Sequence, residues 1–330
     1  MKKYNPRLFL PNYQKYLMSI NRFNLYFRSN VFCFGIFILY PFSLIAQPFD
    51  SLTKAIQKWD EQRIADLKAE NGWLNLVGLE WLKPGNNPIG SGKDAAIHFP
   101  AGKFPLQAGN LIWQNNEVWY EPDPAVTVTD NGMRITEKKL LWSEKGDSHS
   151  ILGYESIRWT IIKRDTKMGI RIRDLTADAL KNFTVIERFP AKPEWVIKAK
   201  FVPEPGWSFR TIPIVNVLGQ TIQMKTPGKL VATIAGQTYQ LDAIEDGPNV
   251  LLIVFGDETN DVSTYGSGRF ISMPLPADGI TDVWLDFNMA FNPPCAFTPF
   301  ATCPLPPIQN QLHLAVYAGE KLYRKQGKKN

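Results

Sequence analysis

From about residue 110 onward the chain keeps returning to short runs in which apolar and polar side chains alternate one by one. Period two places successive side chains on opposite faces of a strand, so such runs predict half-buried β-strands. In 195–201, Trp195, Ile197, Ala199 and Phe201 share one face, and Lys198 and Lys200 take the other. Ile170 and Ile172 alternate with Arg171 and Arg173, and Leu230, Ala232 and Ile234 alternate with Val231 and Thr233. Ala235-Gly236-Gln237 can then turn the chain into Tyr239, Leu241 and Ala243, a hairpin, and Asp130-Asn131-Gly132 is a second turn signal. Further strands are expected at 111–113, 117–120, 125–129, 157–163, 183–189, 213–218, 250–255, 269–273, 282–287 and 311–317. Residues 50–71 read instead as a helix: Leu52, Ala55, Ile56, Trp59 and Leu67 recur at three- and four-residue spacing, with Asp50 or Ser51 as cap and Gly72 as stop. A short helix at 176–182 completes the set, and the fold class is mainly antiparallel β, α+β at the margins.

The N-terminus reads as a leader. Val31–Ala46 is uncharged, Arg22 and Arg28 precede it, and Gln47-Pro48 follows. A basic region, a short apolar stretch and a small residue before a polar turn make a secretory signal peptide. Pro41 interrupts the stretch, which is short for a bilayer span; an uncleaved anchor is the alternative. Met18 is an alternative start, and no small residues precede Cys33 as a lipid-attachment site would need. The charge distribution removes the nucleic-acid or membrane partner that the overall basic balance would suggest. The chain has 37 Lys and Arg against 31 Asp and Glu, but six of the basic residues and no acid fall in 1–46. The mature part therefore has no formal excess of either sign, which argues against a general polyanion binder. Five basic residues between Lys321 and Arg324–Lys329 form a solvated tail.

Two stretches carry a resemblance. One is NGWLNLVGLEWLKPGNNPIGSG (71–92). The other runs from TYGSGRF (264–270) through LDFNMAFNPPCAFTPFATCPLPPIQNQLHLAVYAGEK (285–321). With GIRIRDL they resemble the domain of unknown function 1684 family over about 55–320, a family without an assigned activity. Residues 76–132, with the Gly90 turn and Ala96-Ile97-His98-Phe99, are also similar to a degenerate forkhead-associated β-sandwich. Such domains bind phosphothreonine through an Arg after the turn glycine. Here Ser91 stands there, so the resemblance implies the shape without the site. The expected organisation is a signal peptide (1–46), an N-terminal helix (47–75), a forkhead-associated-like β-sandwich (76–145), a C-terminal antiparallel β domain closed by a Pro-rich Cys loop (146–320) and a basic tail (321–330).

Cys295 and Cys303 are the cysteines that remain after leader cleavage, and an even count in an exported chain points to a disulfide. A thiol nucleophile or redox pair near His313, and a metal site of Cys295, Cys303 and His313, are the competing readings; the second matches no standard zinc spacing. Asp257, Glu258, Asn260 and Asp261 read as an Asx-rich turn rather than a Ca²⁺ loop. Tyr265-Gly266-Ser267-Gly268-Arg269 reads as a bulged strand start with anion cradling as the alternative. Asp286, Asn288, Asn292 and Asn310 could hydrogen-bond a polar ligand or satisfy the backbone of an irregular loop. Arg171, Arg173 and Asp174 read as a solvated or ion-paired strand face. One or two of the ten tryptophans could stack on a sugar ring.

The three histidines, His98, His149 and His313, are scattered, and no nucleophile elbow, H-E-x-x-H, C-x-x-C, P-loop or dinucleotide fingerprint occurs. The expectation is an exported, non-catalytic envelope module that binds a small polar ligand, such as a sugar or peptide, or a partner protein. It has no cofactor, metal or nucleic acid, and no membrane span after cleavage. Its candidate ligand-binding residues are Tyr265, Arg269, Asp286, Asn288, Asn292 and Asn310. The alternative is a hydrolase built around Tyr265, Arg269, Asp286 and Cys295.

Overall fold

The computed structural model describes residues 46–146 and 150–324. The leader, Asp147, His149 and the end of the basic tail lie outside these residues. The first element is helix α1 (Ala46–Lys68). Its apolar stripe divides its work: Leu52 and Ile56 pack on Ala191 and Met289, and Leu67 joins Leu74, Phe183 and Phe297. The helix begins earlier than Asp50 or Ser51, and both expected caps lie inside it. Pro48 does not stop it, because a first-turn proline lacks only an N–H that has no partner there. Gly72 closes the helix end as expected: a Cβ at that position would lie 2.3 Å from the Leu67 carbonyl oxygen.

Eleven strands then build the first β unit. They are β1 (Leu76–Trp81), β2 (Gly85–Gly90), β3 (Ile97–His98), β4 (Gly109–Gln114), β5 (Glu117–Pro122), β6 (Thr129–Asp130), β7 (Met133–Arg134), β8 (Lys139–Ser143), β9 (Leu152–Tyr154), β10 (Ile157–Arg164) and β11 (Lys167–Asp174). One sheet runs β3-β2-β4-β5-β8 and the other β1-β11-β10-β9-β6-β7. Ile89, Leu111, Val118 and Tyr120 of the first sheet meet Leu152, Trp159, Ile170 and Ile172 of the second in one core. The expected boundary at 145/146 therefore falls inside this unit. β11 is paired on one side by β1 and on the other by β10, so the sandwich is complete only at Asp174. The strand expected at 125–129 shrinks to Thr129–Asp130, where Asn131 and Gly132 both take positive φ and turn the hairpin into β7.

After the short helix α2 (Asp178–Lys181) come β12 (Val196–Pro203), β13 (Arg210–Val215), β14 (Thr221–Thr226), β15 (Gly228–Ile234), β16 (Gln237–Glu245), β17 (Val250–Phe255), β18 (Arg269–Pro274) and β19 (Asp282–Asp286). Six of them form an antiparallel sheet, β18-β17-β16-β15-β12-β19, and β13-β14 is a separate hairpin. Phe201, Leu230, Leu241, Ile253 and Ile271 line one face, covered by Phe287, Leu312, Val316 and Ala318 of the C-terminal segment. Leu252, Val254 and Phe270 line the other, covered by the β13-β14 hairpin, Ala301, Cys303 and Trp73.

Two expected strands are absent as strands. Residues 183–189 and 311–317 are irregular, joined to their surroundings by isolated bridges at Arg188–Glu320 and Gly256–Gln311. Their alternating pattern reports buried faces, but in 311–317 scattered backbone contacts at Gln311, Leu312 and Leu314 and side-chain contacts at Val316 replace a strand ladder. The strand expected at 213–218 ends at Val215, because Asn216 turns the chain by accepting from the Leu218 and Gln220 amides.

Candidate functional site

The polar residues of the C-terminal signature are buried, and each has a structural partner. Asp286 Oδ1 accepts from the Asn288 amide at 2.8 Å and from Asn288 Nδ2 at 2.9 Å. Asn288 in turn accepts from the Lys192 amide and donates to the Lys192 carbonyl. Asn310 pins two strands at once, accepting from the Asp242 amide at 2.7 Å and donating to the Asp242 and Val254 carbonyls. Asn292 donates through its side chain to the Lys321 carbonyl, and its amide donates to Glu320 Oε2 at 2.7 Å. Tyr265 contributes its carbonyl oxygen, which accepts from Asn260 Nδ2 and from the Gly268 amide. The loop at 257–261 is the expected Asx-rich turn, with Asn260 Oδ1 accepting from the Asp257 amide.

Arg269 is fully buried and forms an ion pair with Asp257 at 2.8 Å. It also donates to the Val316, Ala318 and Glu320 carbonyls and lies over the Phe255 ring. Burial pushes its pKa down, and Asp257 opposes that shift. The guanidinium thus ties the C-terminal segment to the sheet, and the anion cradle expected as an alternative already holds a carboxylate of the chain itself. Cys295 and Cys303 lie at disulfide distance, with Cα atoms 6.2 Å apart. Among the described residues no group of His, Cys, Asp and Glu could hold a metal ion.

The seam between helix α1 and the C-terminal segment is a second charged network. Arg63 donates to Glu320 Oε1 at 2.6 Å and to the Asn292 carbonyl at 2.7 Å. Arg188 pairs with Asp60 at 2.9 Å and donates to the Asn288 carbonyl. Burial raises the Asp60 carboxyl to about 6; Arg188 and Arg63 oppose this and the nearby Glu320 adds to it.

A third cluster behaves differently. β11 is buried on both faces, so Arg171 and Arg173 are not the solvated strand face expected from the pattern. They retain only 4% and 3% of their exposure. The register places Arg171 directly opposite Thr160, and Arg173 opposite Arg158, so all four share one face of the sheet. That face is covered at its end by Trp73, whose ring centre lies 5.1 Å from the Arg171 guanidinium carbon, and by the Cys loop. There Thr298 donates to the Leu76 carbonyl and Thr302 lies 3.4 Å from Arg164 Nε.

Arg158 is neutralised by Glu70 at 2.8 Å. Arg171 and Arg173 have no carboxylate partner among the described residues, and the Nε atoms of both, with Thr160 Oγ1, are sealed from solvent without a hydrogen bond. Burial first, then repulsion from Arg164 and Arg173, pushes the Arg171 pKa down to about 9. A guanidinium remains protonated at neutral pH, so the unfavourable charge persists. One uncompensated buried charge costs about 3–5 kcal/mol. Asp174, at the end of the same strand, faces the other way. Burial raises its pKa, but Lys103, Thr176 and Ser156 overcome that and hold it near 2.

A shallow cleft of about 210 Å³ lies elsewhere on the first unit, between Trp113, Asn116, Trp142, Lys163 and Asp165. Ligand pockets usually enclose roughly 300–1,000 Å³. Its lysine is already paired with Glu144 at 2.7 Å.

The six candidate ligand residues hold loops together, although Arg269 Nε and Asn292 Oδ1 are also sealed without a hydrogen bond. What sets Arg171 and Arg173 apart is charge: Arg269 has its carboxylate in Asp257, and these two have none among the described residues. Sequence reasoning read Arg171 and Arg173 as a solvated or ion-paired face and passed over Thr160. No local signal was available, because the side chains and loop that cover the second face of β11 are distant from it in sequence.

These features define a two-unit, mainly β protein with an irregular, cysteine-closed loop between the units. Residues 181–321 match the family described as "Protein of unknown function (DUF1684)". No curated protein matches the chain. Among solved structures, an uncharacterised protein of Haloarcula marismortui is 26% identical over 43% of this chain and 78% of its own, with a TM-score of 0.36. The FhaA forkhead-associated domain, solved in complex with the intracellular domain of Rv3910, is 15% identical over 29% of this chain and 97% of its own, at a TM-score of 0.21. A forkhead-associated domain from a study of phosphothreonine-dependent interactions is likewise 15% identical over 29% of this chain, at 0.20.

Proposed function

We propose that this protein is an exported, non-catalytic module that binds a small polar ligand, or a partner presenting one, at the seam between its two β units. The observation that carries this reading is the contrast between the two sets of buried polar groups. Asp286, Asn288, Asn292 and Asn310 hydrogen-bond loop backbone, and Arg269 has its charge balanced by Asp257, which suits a rigid scaffold even though Asn292 Oδ1 and Arg269 Nε are left unpaired. Arg171 and Arg173 are buried with no carboxylate partner among the described residues, beside the unpaired Thr160 hydroxyl, which suits an acidic ligand. Cysteines at disulfide distance suit an oxidising compartment. Among the described residues no helix is long and apolar enough to cross a membrane.

The test is the intact mass of the protein purified from its native envelope, measured under denaturing and then native conditions. The expected result is a chain of residues 47–330 lighter by two hydrogens, with additional mass retained under native conditions only. An uncleaved chain or two free thiols would overturn export. Turnover of hydrolase substrates that is lost with Asp286→Ala but leaves the melting temperature unchanged would overturn the non-catalytic reading.

A further inference from the structure

We propose that Arg171, Arg173 and Thr160 form an oxyanion site that receives a carboxylate or phosphate group. This names the ligand class for the binding-module reading and rests on it. The first ground is geometry. Arg171 and Thr160 are register partners on adjacent antiparallel strands, and Arg173 is two residues along on the same face. Side chains so placed emerge within about 7 Å of one another and can converge on one small group.

The second ground is chemistry. Two guanidinium Nε–H groups and a hydroxyl are sealed from water without a partner. A guanidinium has only donors, so what it lacks must be an acceptor. Like charges side by side on one strand repel, and an anion between them removes that repulsion. The sheet supplies its own control in Arg158. On the same face, opposite Arg173, it has its carboxylate in Glu70. A neutral sugar could accept hydrogen bonds here but would leave both charges uncompensated. A carboxylate or phosphate oxygen pair satisfies donor count and charge together. Trp73 over Arg171 places an aromatic surface beside the anion, where the remainder of a ligand would lie.

The test uses the mature chain titrated separately with sodium phosphate and sodium citrate, at constant ionic strength held with chloride. Two readouts are followed, the melting temperature and the arginine Nε–H resonances. At least one anion is expected to saturate at one equivalent, to shift the Arg171 and Arg173 Nε–H signals and to raise the melting temperature. Arg171→Gln and Arg173→Gln are expected to weaken that binding at least tenfold, and Lys198→Gln, at an exposed pair with Asp282 in the second β unit, to leave it unchanged. Saturation by phosphate identifies a phosphate-bearing ligand, and saturation by citrate alone a carboxylate.

If either arginine variant fails to fold, Thr160→Val serves in its place, with binding weakened at least threefold. No saturable response to either anion, or equal responses in the wild type and the variants, would overturn the site. N-acetylglucosamine bound equally by the wild type and both glutamine variants would also overturn it, while leaving the binding-module reading intact.

Discussion

Asp257→Asn isolates the charge of the one fully buried ion pair among the described residues while preserving the shape of the side chain. In the wild type, Asp257 Oδ2 accepts from Arg269 at 2.8 Å, and Oδ1 accepts from the Thr259 amide at 2.9 Å and the Val316 amide at 3.2 Å. An asparagine can keep the Oδ1 contacts but turns an amide NH₂ toward the guanidinium. Arg269 then remains as a buried charge without a counter-ion, at a cost of about 3–5 kcal/mol. For a unit of this size each kcal/mol moves the melting temperature by roughly 2–4 °C. The expected drop is therefore about 6–20 °C. The double replacement Asp257→Leu with Arg269→Met distinguishes this pair from buried ion pairs that apolar residues can replace without loss. Here Arg269 also satisfies the Val316, Ala318 and Glu320 carbonyls, and Asp257 the Thr259 and Val316 amides. Each such group left buried and unpaired costs about 1–3 kcal/mol. The double variant should thus stay destabilised and should expose 312–324 to limited proteolysis. Urea denaturation with proteolysis in parallel measures both effects. A single variant within 1 kcal/mol of wild type, or a double variant that recovers wild-type stability, would refute the argument that this pair fastens the C-terminal segment.

The raised pKa of Asp60 makes a pH prediction. Its favourable contribution is fully present below the unfolded value of 3.8 and is lost as pH rises through about 6. The change is worth up to about 3 kcal/mol, so Asp60→Asn should flatten stability between pH 4 and 7 and melt above wild type at pH 7. A wild-type curve that rises over that interval would contradict it. Asp174 works in the opposite sense. Held near 2, it contributes about 2 kcal/mol above pH 3.8 that is lost as pH falls toward 2. Lys103→Met should remove much of this, as read by acid titration of the far-ultraviolet signal. Reduction of the Cys295–Cys303 pair should cost roughly 2–3 kcal/mol on the chain-entropy model, and identical melts with and without reductant would contradict it.

Most of the scaffold was legible because period two is a local property. Val250–Phe255 is a strand over the expected residues, and the turn at Ala235-Gly236 has both residues at positive φ, as a tight hairpin requires. Residues 311–317 show where that reasoning fails. Their alternation was real, since Leu312 and Val316 are buried, but alternation records burial and not which groups receive the backbone. The Leu312 amide and the Leu314 carbonyl pair with Gly256 and Glu258, while the Val316 amide and carbonyl go to the Asp257 and Arg269 side chains.

The seam was illegible for a related reason. In β11 the pattern assigned Ile170 and Ile172 to the core correctly, and it assigned Arg171 and Arg173 to solvent by default. Period two distinguishes two faces of a strand but says nothing about what covers the second. Here the cover comes from Trp73 and from Thr298 and Thr302 of the Cys loop, which are distant in sequence from β11. Burying two arginines without carboxylates opposes folding, a cost that the negative charge of the proposed anion would relieve. The acids nearest along the chain do not supply it: Asp174 is held by Lys103 and Ser156, and Glu70 by Arg158. The proposed anion would supply it, and that inference required the register, the burial and the lack of a carboxylate beside Arg171 and Arg173 to be seen together.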